Sequence, residues 1–483
     1  MCFAPETDQS SGLGSEEELA FGRDVLTWLP LAEAVLWLWR WVADEAVLQE
    51  LFNRERGRCY EQGLRFPVLV QLIADALLEH RGSGRKSFQR GQEDGQLATS
   101  LQAVYEKLGR VPLGLSEAFL ATGTARLSQI AVAEAQRAVP ASGQEFAIVA
   151  VDGKAIKRVA KRLKVMWGRK GGVLGGKALV AVELRSGVAV ALATAADGET
   201  NDAKLVPALV PQVRAQLAGP RLWLGDRQFC DLTQPGVFAA AGDPDIVRYH
   251  PKTPFYPDPA SPPQQGTDAQ GWAWQEAWGW LGTPRNAKRR YVRLITLERP
   301  AAEAICLVTD LLDAAQYPAA DLLALDRLRW GIEEVFQQVT EVFHLQTLIG
   351  TTPQGTVFQF AFCLLLYNLL QVVRGSVAVA QARPIPTISL ELVFDDVHRQ
   401  LIAVSELVAP PVVARLFEPL PDSGTLRQRL TYLLAAVWTF RWLKAPPQQR
   451  KPPPRPTHSA GKHTSVQRLL EAYRQGLSST PGP

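Results

Sequence analysis

The chain has 483 residues, 47% apolar and 21% charged, with a formal net charge of +4. That length predicts more than one domain around a large core, and so small a net charge excludes a uniformly basic chain, so any polyanion site must come from clustering. Five scattered cysteines (Cys2, Cys59, Cys230, Cys306 and Cys363) form no CxxC pair, which excludes a disulfide framework or zinc site and suits a reducing cytoplasm.

Residues 1–140 read as helical, with patterned segments near 17–50, 66–80, 95–108 and 115–138. Acidic residues dominate the first twenty positions, unlike a signal peptide. The apolar run 25–41 is broken by Pro30, Glu33 and Arg40 and reads as a buried helix rather than a membrane span. The stretch RGSGRKSFQRG (81–91) reads as a basic, glycine-containing loop. It is either a solvated loop of an accessory domain or a DNA contact through Arg81, Arg85, Lys86 and Arg90.

At residue 146 the texture changes. FAIVAVD (146–152) is a continuous apolar run ending in a carboxylate, the pattern of a buried central strand. ALVAVEL (178–184) and VAVALATA (188–195) follow as strands around a turn at 185–187. NDAKLVPALVPQVRAQL (201–217) reads as a helix opened by an Asn or Asp cap. RLWLGDRQF (221–229) is a strand running into Asp226, and a short helix near 231–241 and the strand 245–250 complete the set. Three strands, helix, strand, helix, strand is the order of an RNase H-like sheet, in which acids ending adjacent central strands converge at one edge.

Residues 251–318 read as a β-rich insertion. They open with a Pro- and Gln-rich stretch, continue with Trp272, Trp274, Trp278 and Trp280, and then show strand patterns at 289–297 and 303–311. Next comes DRLRWGIEEVFQQVTEVF (326–343), with apolar residues at Leu328, Ile332, Val335, Val339 and Phe343. This spacing predicts one helix of about five turns. Asp326, Arg329, Glu333 and Thr340 border its apolar stripe, while Glu334 turns to the open side. Alone, this is the pattern of any amphipathic surface helix with a border carboxylate. The apolar run 357–373 carries Gln359, Asn368 and Gln371 and reads as a buried helix, so the protein is expected to be soluble. Further helices fill 376–444, the tail 444–463 is Pro-rich and basic, and a short helix closes the chain at 465–475.

Three carboxylates brought together repel, and divalent metal is the usual reason to assemble them: Mg²⁺ favours carboxylate, water and phosphate oxygens. Two such ions activate a water or 3′-hydroxyl in phosphodiester chemistry. The residues beside Asp152 suit that substrate. Lys154, Lys157, Arg158, Lys161, Arg162, Lys164, Arg169, Lys170 and Lys177 lie within 153–177 without an acid, forming either a hold on a DNA backbone or a solvated basic loop. GGVLGGKA (171–178) nearly matches a phosphate-binding loop. However, Ala178 replaces the metal-binding hydroxyl and a strand follows where a helix is required. His250 and His344 show no ligand spacing.

Three blocks, AVDGK (150–154), LGDRQF (224–229) and LRWGIEEVF (328–336), resemble the DDE transposases of the insertion-sequence-4 type, from bacterial cut-and-paste elements. The last resembles that family's signature of Tyr, two residues, Arg, three residues, Glu, six residues, Lys. The resemblance covers about 146–375. It implies an α/β fold: an RNase H-like mixed sheet flanked by helices, with a β-rich insertion and helical N- and C-terminal regions. The implied divisions are 1–140 (helical, DNA-binding), 146–250 and 319–375 (catalytic core), 251–318 (insertion), 376–445 (helical) and 446–483 (Pro-rich basic tail). It further implies Asp152, Asp226 and Glu333 as catalytic metal ligands, two Mg²⁺ ions with Mn²⁺ as substitute, and terminal-repeat and target DNA as substrates. The expected assembly is a homodimer in a synaptic complex in a bacterial-type cytoplasm. Arg329, Lys154, Lys157, Arg158, Lys161, Arg162, Arg169 and Lys170 are the expected DNA contacts. Asp326 stands where the family has Tyr and Thr340 where it has Lys, which adds an acid and removes a cation on the Glu333 face. A nuclease that cuts without joining, and a catalytically silent DNA-binding descendant, are the alternatives.

Overall fold

The computed structural model describes residues 15–61, 63–157, 163–167, 172–239, 242–300, 302–343, 345, 349–445 and 463–478. Seven helices occupy the described residues of the N-terminal region: Glu16–Trp28, Pro30–Val42, Glu45–Glu55, Phe66–Leu78, Gly84–Glu93, Leu101–Leu108 and Leu113–Ser128. Local chemistry starts several of them. Ser15 and Glu18 form a reciprocal capping box, Asp44 accepts from Val47 N–H, and Pro30 occupies a first-turn position whose N–H would have no partner. The segment 81–91 is a helix start rather than a loop. Ser83 caps the Gly84–Glu93 helix by accepting from Lys86 N–H, and Ser87 and Phe88 are buried.

These helices wrap the long helix Pro353–Ala380, buried along nearly its whole length. Phe66 and Phe119 meet Phe358 at 5.9 and 5.4 Å between ring centroids, and Phe119 meets Phe362 at 5.2 Å. Each buried phenyl ring contributes about 1.5–3 kcal/mol by leaving water. Among the described residues this is the one helix long and apolar enough to cross a membrane, and it forms the centre of the core instead.

The sheet begins with β1 (Ala147–Ala155), followed by the two-residue β2 (Val173–Leu174), β3 (Lys177–Glu183), β4 (Val188–Ala195), β5 (Arg221–Gly225) and β6 (Asp245–Arg248). β1, β3 and β4 form an antiparallel meander. The helix Val206–Gln216 then carries the chain across to β5, parallel to β1, and the helix Gln234–Ala239 leads on to β6, parallel to β5. The order β4-β3-β1-β5-β6 with these polarities is an RNase H-like sheet flanked by helices. Both faces of β1 are covered. Ile148 and Ala150 pack into the large helical core, while Val149 and Val151 pack with Leu209 and Val213 of the crossover helix. That two-sided burial explains why its sequence is uninterruptedly apolar.

The insertion supplies β7 (Phe255–Pro257), β8 (Gln264–Thr267), β9 (Ala273–Leu281), β10 (Arg290–Leu297) and β11 (Ile305–Thr309). They join the sheet already begun. β11 pairs antiparallel with β6, setting Leu307 opposite Arg248; the order continues β11-β10-β9-β7, and β8 pairs with β9 to complete ten strands.

The predicted single helix at 326–343 is two. Ala319–Leu328 ends and Gly331–Val342 begins on either side of Arg329 and Trp330, where the backbone tightens into i→i−3 bonds such as Glu333 N–H to Trp330 O at 3.0 Å. Beyond the core, the helices Leu390–Leu407, Pro410–Leu416 and Ser423–Ala435 pack on the N-terminal helices. The Pro-rich stretch 446–462 lies outside the described residues. After it, β12 (Thr464–Ser465) pairs parallel with β2, and the helix Val466–Ser478 follows.

Candidate active site

Register and side-chain alternation build the site. β1 and β5 are parallel neighbours with Ala150 opposite Leu224. Asp152 lies two residues beyond that pair on β1, and Asp226 directly follows the last residue of β5, so both acids stand at the same end of the two strands. Each shares its face with the alternate residues before it, Ile148 and Ala150 or Leu222 and Leu224. That is the face on which the Gly331–Val342 helix packs through Ile332, Val335, Phe336 and Val339.

Local backbone bonds orient both acids. Asp152 Oδ1 accepts from Gly153 N–H at 2.8 Å. Asp226 caps a turn of 3₁₀ helix, its Oδ1 accepting from Gln228 N–H at 2.9 Å. Burial pushes the Asp152 carboxyl up to about 6, and repulsion from Asp226 and Asp202 adds to it; the Gly153 N–H and Arg329 oppose the rise. Burial also raises Asp226, against the pull of the Gln228 N–H and Arg329, with Asp202 again repelling. The acids therefore share one neighbourhood, with Arg329 as its positive charge.

Glu333 is on the helix above this face. Its side chain is 45% exposed and stands 4.0 Å from Arg329 Nη1. Three residues on, the Phe336 ring lies 5.2 Å from Lys154 Nζ. Glu334 turns to the far side, within electrostatic reach of Tyr367, Arg374 and Lys444.

Arg329, expected among the DNA contacts, lies inside the fold. It is 5% exposed, because Asp326 draws it inward at 3.6 Å. Asp326 is itself buried and bonded to Arg248 of β6 at 2.8 and 3.2 Å. Asp326 therefore adds no charge to the outer face; it anchors two arginines. Thr340 is half-buried and donates its hydroxyl to Phe336 O at 2.6 Å.

The basic residues divide. Lys154 is half-buried, and burial lowers its pKa. Lys157 and Lys164 are exposed, and Lys177 is paired with Asp202 at 2.5 Å. Arg158, Lys161, Arg162, Arg169 and Lys170 lie outside the described residues. In the N-terminal region Arg81, Arg85 and Lys86 are exposed, whereas Arg90 donates to Ser405 O and faces Asp94 and Glu406. Of the four insertion tryptophans only Trp280 is classed as exposed, and Arg289 covers its ring at 4.3 Å.

Sequence reading missed Asp202, taken only as one of two possible caps. The cap is Asn201, and Asp202 is a buried carboxylate at the rear of the site. The signal was Gly153 beside Asp152: a Cβ at that position would overlap the Asp202 carboxylate.

Among the described residues no three Asp, Glu, His or Cys side chains converge into a ready-made metal cage. The donor chemistry at Asp152 and Asp226 does fit a hard divalent ion: oxygen donors, largely desolvated and repelling one another.

Strands in this order and with these polarities, flanked by helices, form an RNase H-like fold. Residues 143–369, which hold all three acids, match the family described as Transposase DDE domain, and this supports a DDE transposase. No curated protein matches the chain. Among solved structures, a cryo-EM structure of the piggyBac transposase synaptic complex with hairpin DNA is similar with a TM-score of 0.36 and 10% identity. That match covers 89% of this chain and 79% of the other, and a likeness so low carries no functional argument.

Proposed function

We propose that the protein is a cut-and-paste transposase that binds the terminal inverted repeats of an insertion sequence and cleaves and rejoins DNA strands. The supporting observation is that Asp152 and Asp226 stand at the same end of the adjacent parallel strands β1 and β5, beneath the helix bearing Glu333. Asp152, Asp226 and Glu333 would hold two Mg²⁺ ions, with Mn²⁺ as a substitute. When bound, the metal supplies a polarised water or 3′-hydroxyl and stabilises the leaving oxygen.

The chain's own residues set the conditions for this chemistry. The Gly153 and Gln228 N–H groups fix the carboxylate orientations, and Arg329 offsets their repulsion. The exposed Lys157 and Lys164, with Arg158, Lys161, Arg162, Arg169 and Lys170 of the same segment, would take DNA phosphates. The partners are double-stranded DNA, as element ends and target, and a second copy of the chain in a synaptic homodimer within a bacterial-type cytoplasm.

The test uses duplexes carrying the inverted repeats that flank the gene. Asp152→Asn, Asp226→Asn and Glu333→Gln should each abolish Mg²⁺-dependent cleavage and leave binding within about twofold, since affinity comes mainly from phosphate contacts elsewhere. Glu334→Gln should cleave like the wild type. A dead Glu334→Gln beside an active Glu333→Gln would refute the assignment. The inward-held Arg329 favours a second reading, a DNA-binding descendant that does not cut; wild type that binds the ends but never cleaves them would establish it.

A further inference from the structure

Gly153 and the residues paired around it open a small gap behind the acid pair, on the opposite face of the sheet. β1 alternates, so Asp152 faces the Glu333 helix while Gly153 faces the crossover helix, as Val149 and Val151 do. Asp202, in the turn that opens that crossover helix, fills the gap with a carboxylate 4% exposed. Two groups hold it. Lys177, opposite Ala155 on β3, meets Oδ1 at 2.5 Å, and the Gln228 amide donates to Oδ2 at 2.7 Å. The backbone N–H of the same Gln228 donates to Asp226 at 2.9 Å.

A single residue thus ties Asp226 to Asp202, and Asp202 lies against the backbone that follows Asp152. We propose that Asp202 is a positioning residue for the acid pair: with Lys177 and Gln228 it forms a strut that fixes the separation of Asp152 and Asp226. Asp202 does not ligate the ion, because it lies behind the sheet with its charge already countered by Lys177. The strut acts by holding two strand ends that would otherwise spread under their own repulsion. This rests on reading Asp152 and Asp226 as the metal-binding pair.

The test measures Mn²⁺ binding to the DNA-free protein by calorimetric titration, with thermal melts in chelator to verify folding. Groups that orient ligands without being ligands typically cost about tenfold or more in metal affinity when removed. Asp202→Ala and Gln228→Ala should each weaken Mn²⁺ binding by about that factor and lower kcat for end cleavage with KM for DNA unchanged. Asp202→Asn, which keeps an acceptor for Gln228, should recover part of the loss. Gln228 is half-buried near the surface, so its variant decides the matter if Asp202→Ala does not fold. Wild-type affinity in both Asp202→Ala and Gln228→Ala, beside lost binding in Asp152→Asn, would overturn the proposal. Undiminished binding in Asp152→Asn would instead remove the acid-site reading, and this proposal with it.

Discussion

A carboxylate buried beside others carries its charge at a cost until a cation arrives, and Asp152 is in that position. Folding raises its pKa from an ordinary 3.8 to about 6. An acid raised on folding holds its proton more tightly in the folded state. Its contribution to stability is therefore fully present below the unfolded value and is lost as pH rises through about 6. Near neutral pH without metal, wild type bears that loss and Asp152→Asn does not. The Asn variant should thus be more stable by about 1–2 kcal/mol at about pH 7.5, once partial exposure is allowed for, and should converge with wild type near about pH 4. Thermal melts in chelator at the two pH values check this, and a less stable Asn variant at neutral pH would contradict it. The sign is the reverse of what most substitutions of half-buried residues give.

At the scale of elements, the junction between the Ala319–Leu328 and Gly331–Val342 helices is held by the chain Arg248–Asp326–Arg329. Removing the acid takes the counter-charge from the largely buried Arg248 guanidinium and the inner anchor from Arg329, and breaking a buried pair typically costs about 3–5 kcal/mol. Asp326→Ala should lower the urea midpoint accordingly. Asp326→Tyr should reduce end cleavage because Arg329 loses its anchor; faster cleavage would show that the pair is dispensable. The carboxylates Asp152 and Asp226 were legible in the sequence because continuous apolar runs fix two-sided strands and an acid marks where each leaves the core. Glu333 and Glu334 were separable by helical angle alone. The break at Arg329 was not legible, since no Pro marks it and the ion pairs that accompany it come from β6. Nor was the helix starting at Gly84, because the glycines and basic residues of 81–91 masked the Ser83 cap. Asp202 was hidden for a related reason: what it touches is decided by β1 and β3, not by its neighbours in sequence.

At the scale of the whole molecule, one buried amide joins the N-terminal helices to the sheet. Asn368, in the middle of the Pro353–Ala380 helix, donates to Thr124 Oγ1 and Ala189 O at 2.8 Å each and accepts from Ala189 N–H at 2.9 Å. Replacing it with Ala takes the partner from the Ala189 N–H, at about 1–3 kcal/mol, while Thr124 Oγ1 keeps its own bond to Ala189 O. Asn368→Ala should therefore lower the thermal midpoint, and Asn368→Leu, similar in volume, should not rescue it, because the missing partners are polar. Recovery of wild-type stability by Leu would show that the site needs only volume.

The continuous sheet also has a mechanical consequence. Leu307 of the insertion lies opposite Arg248, Arg248 grips Asp326, and Asp326 holds Arg329 beside the acids. The insertion strands and the Arg329 guanidinium are thus joined through one hydrogen-bonded sheet and two ion pairs, so a shift of β11 against β6 would be felt at that guanidinium.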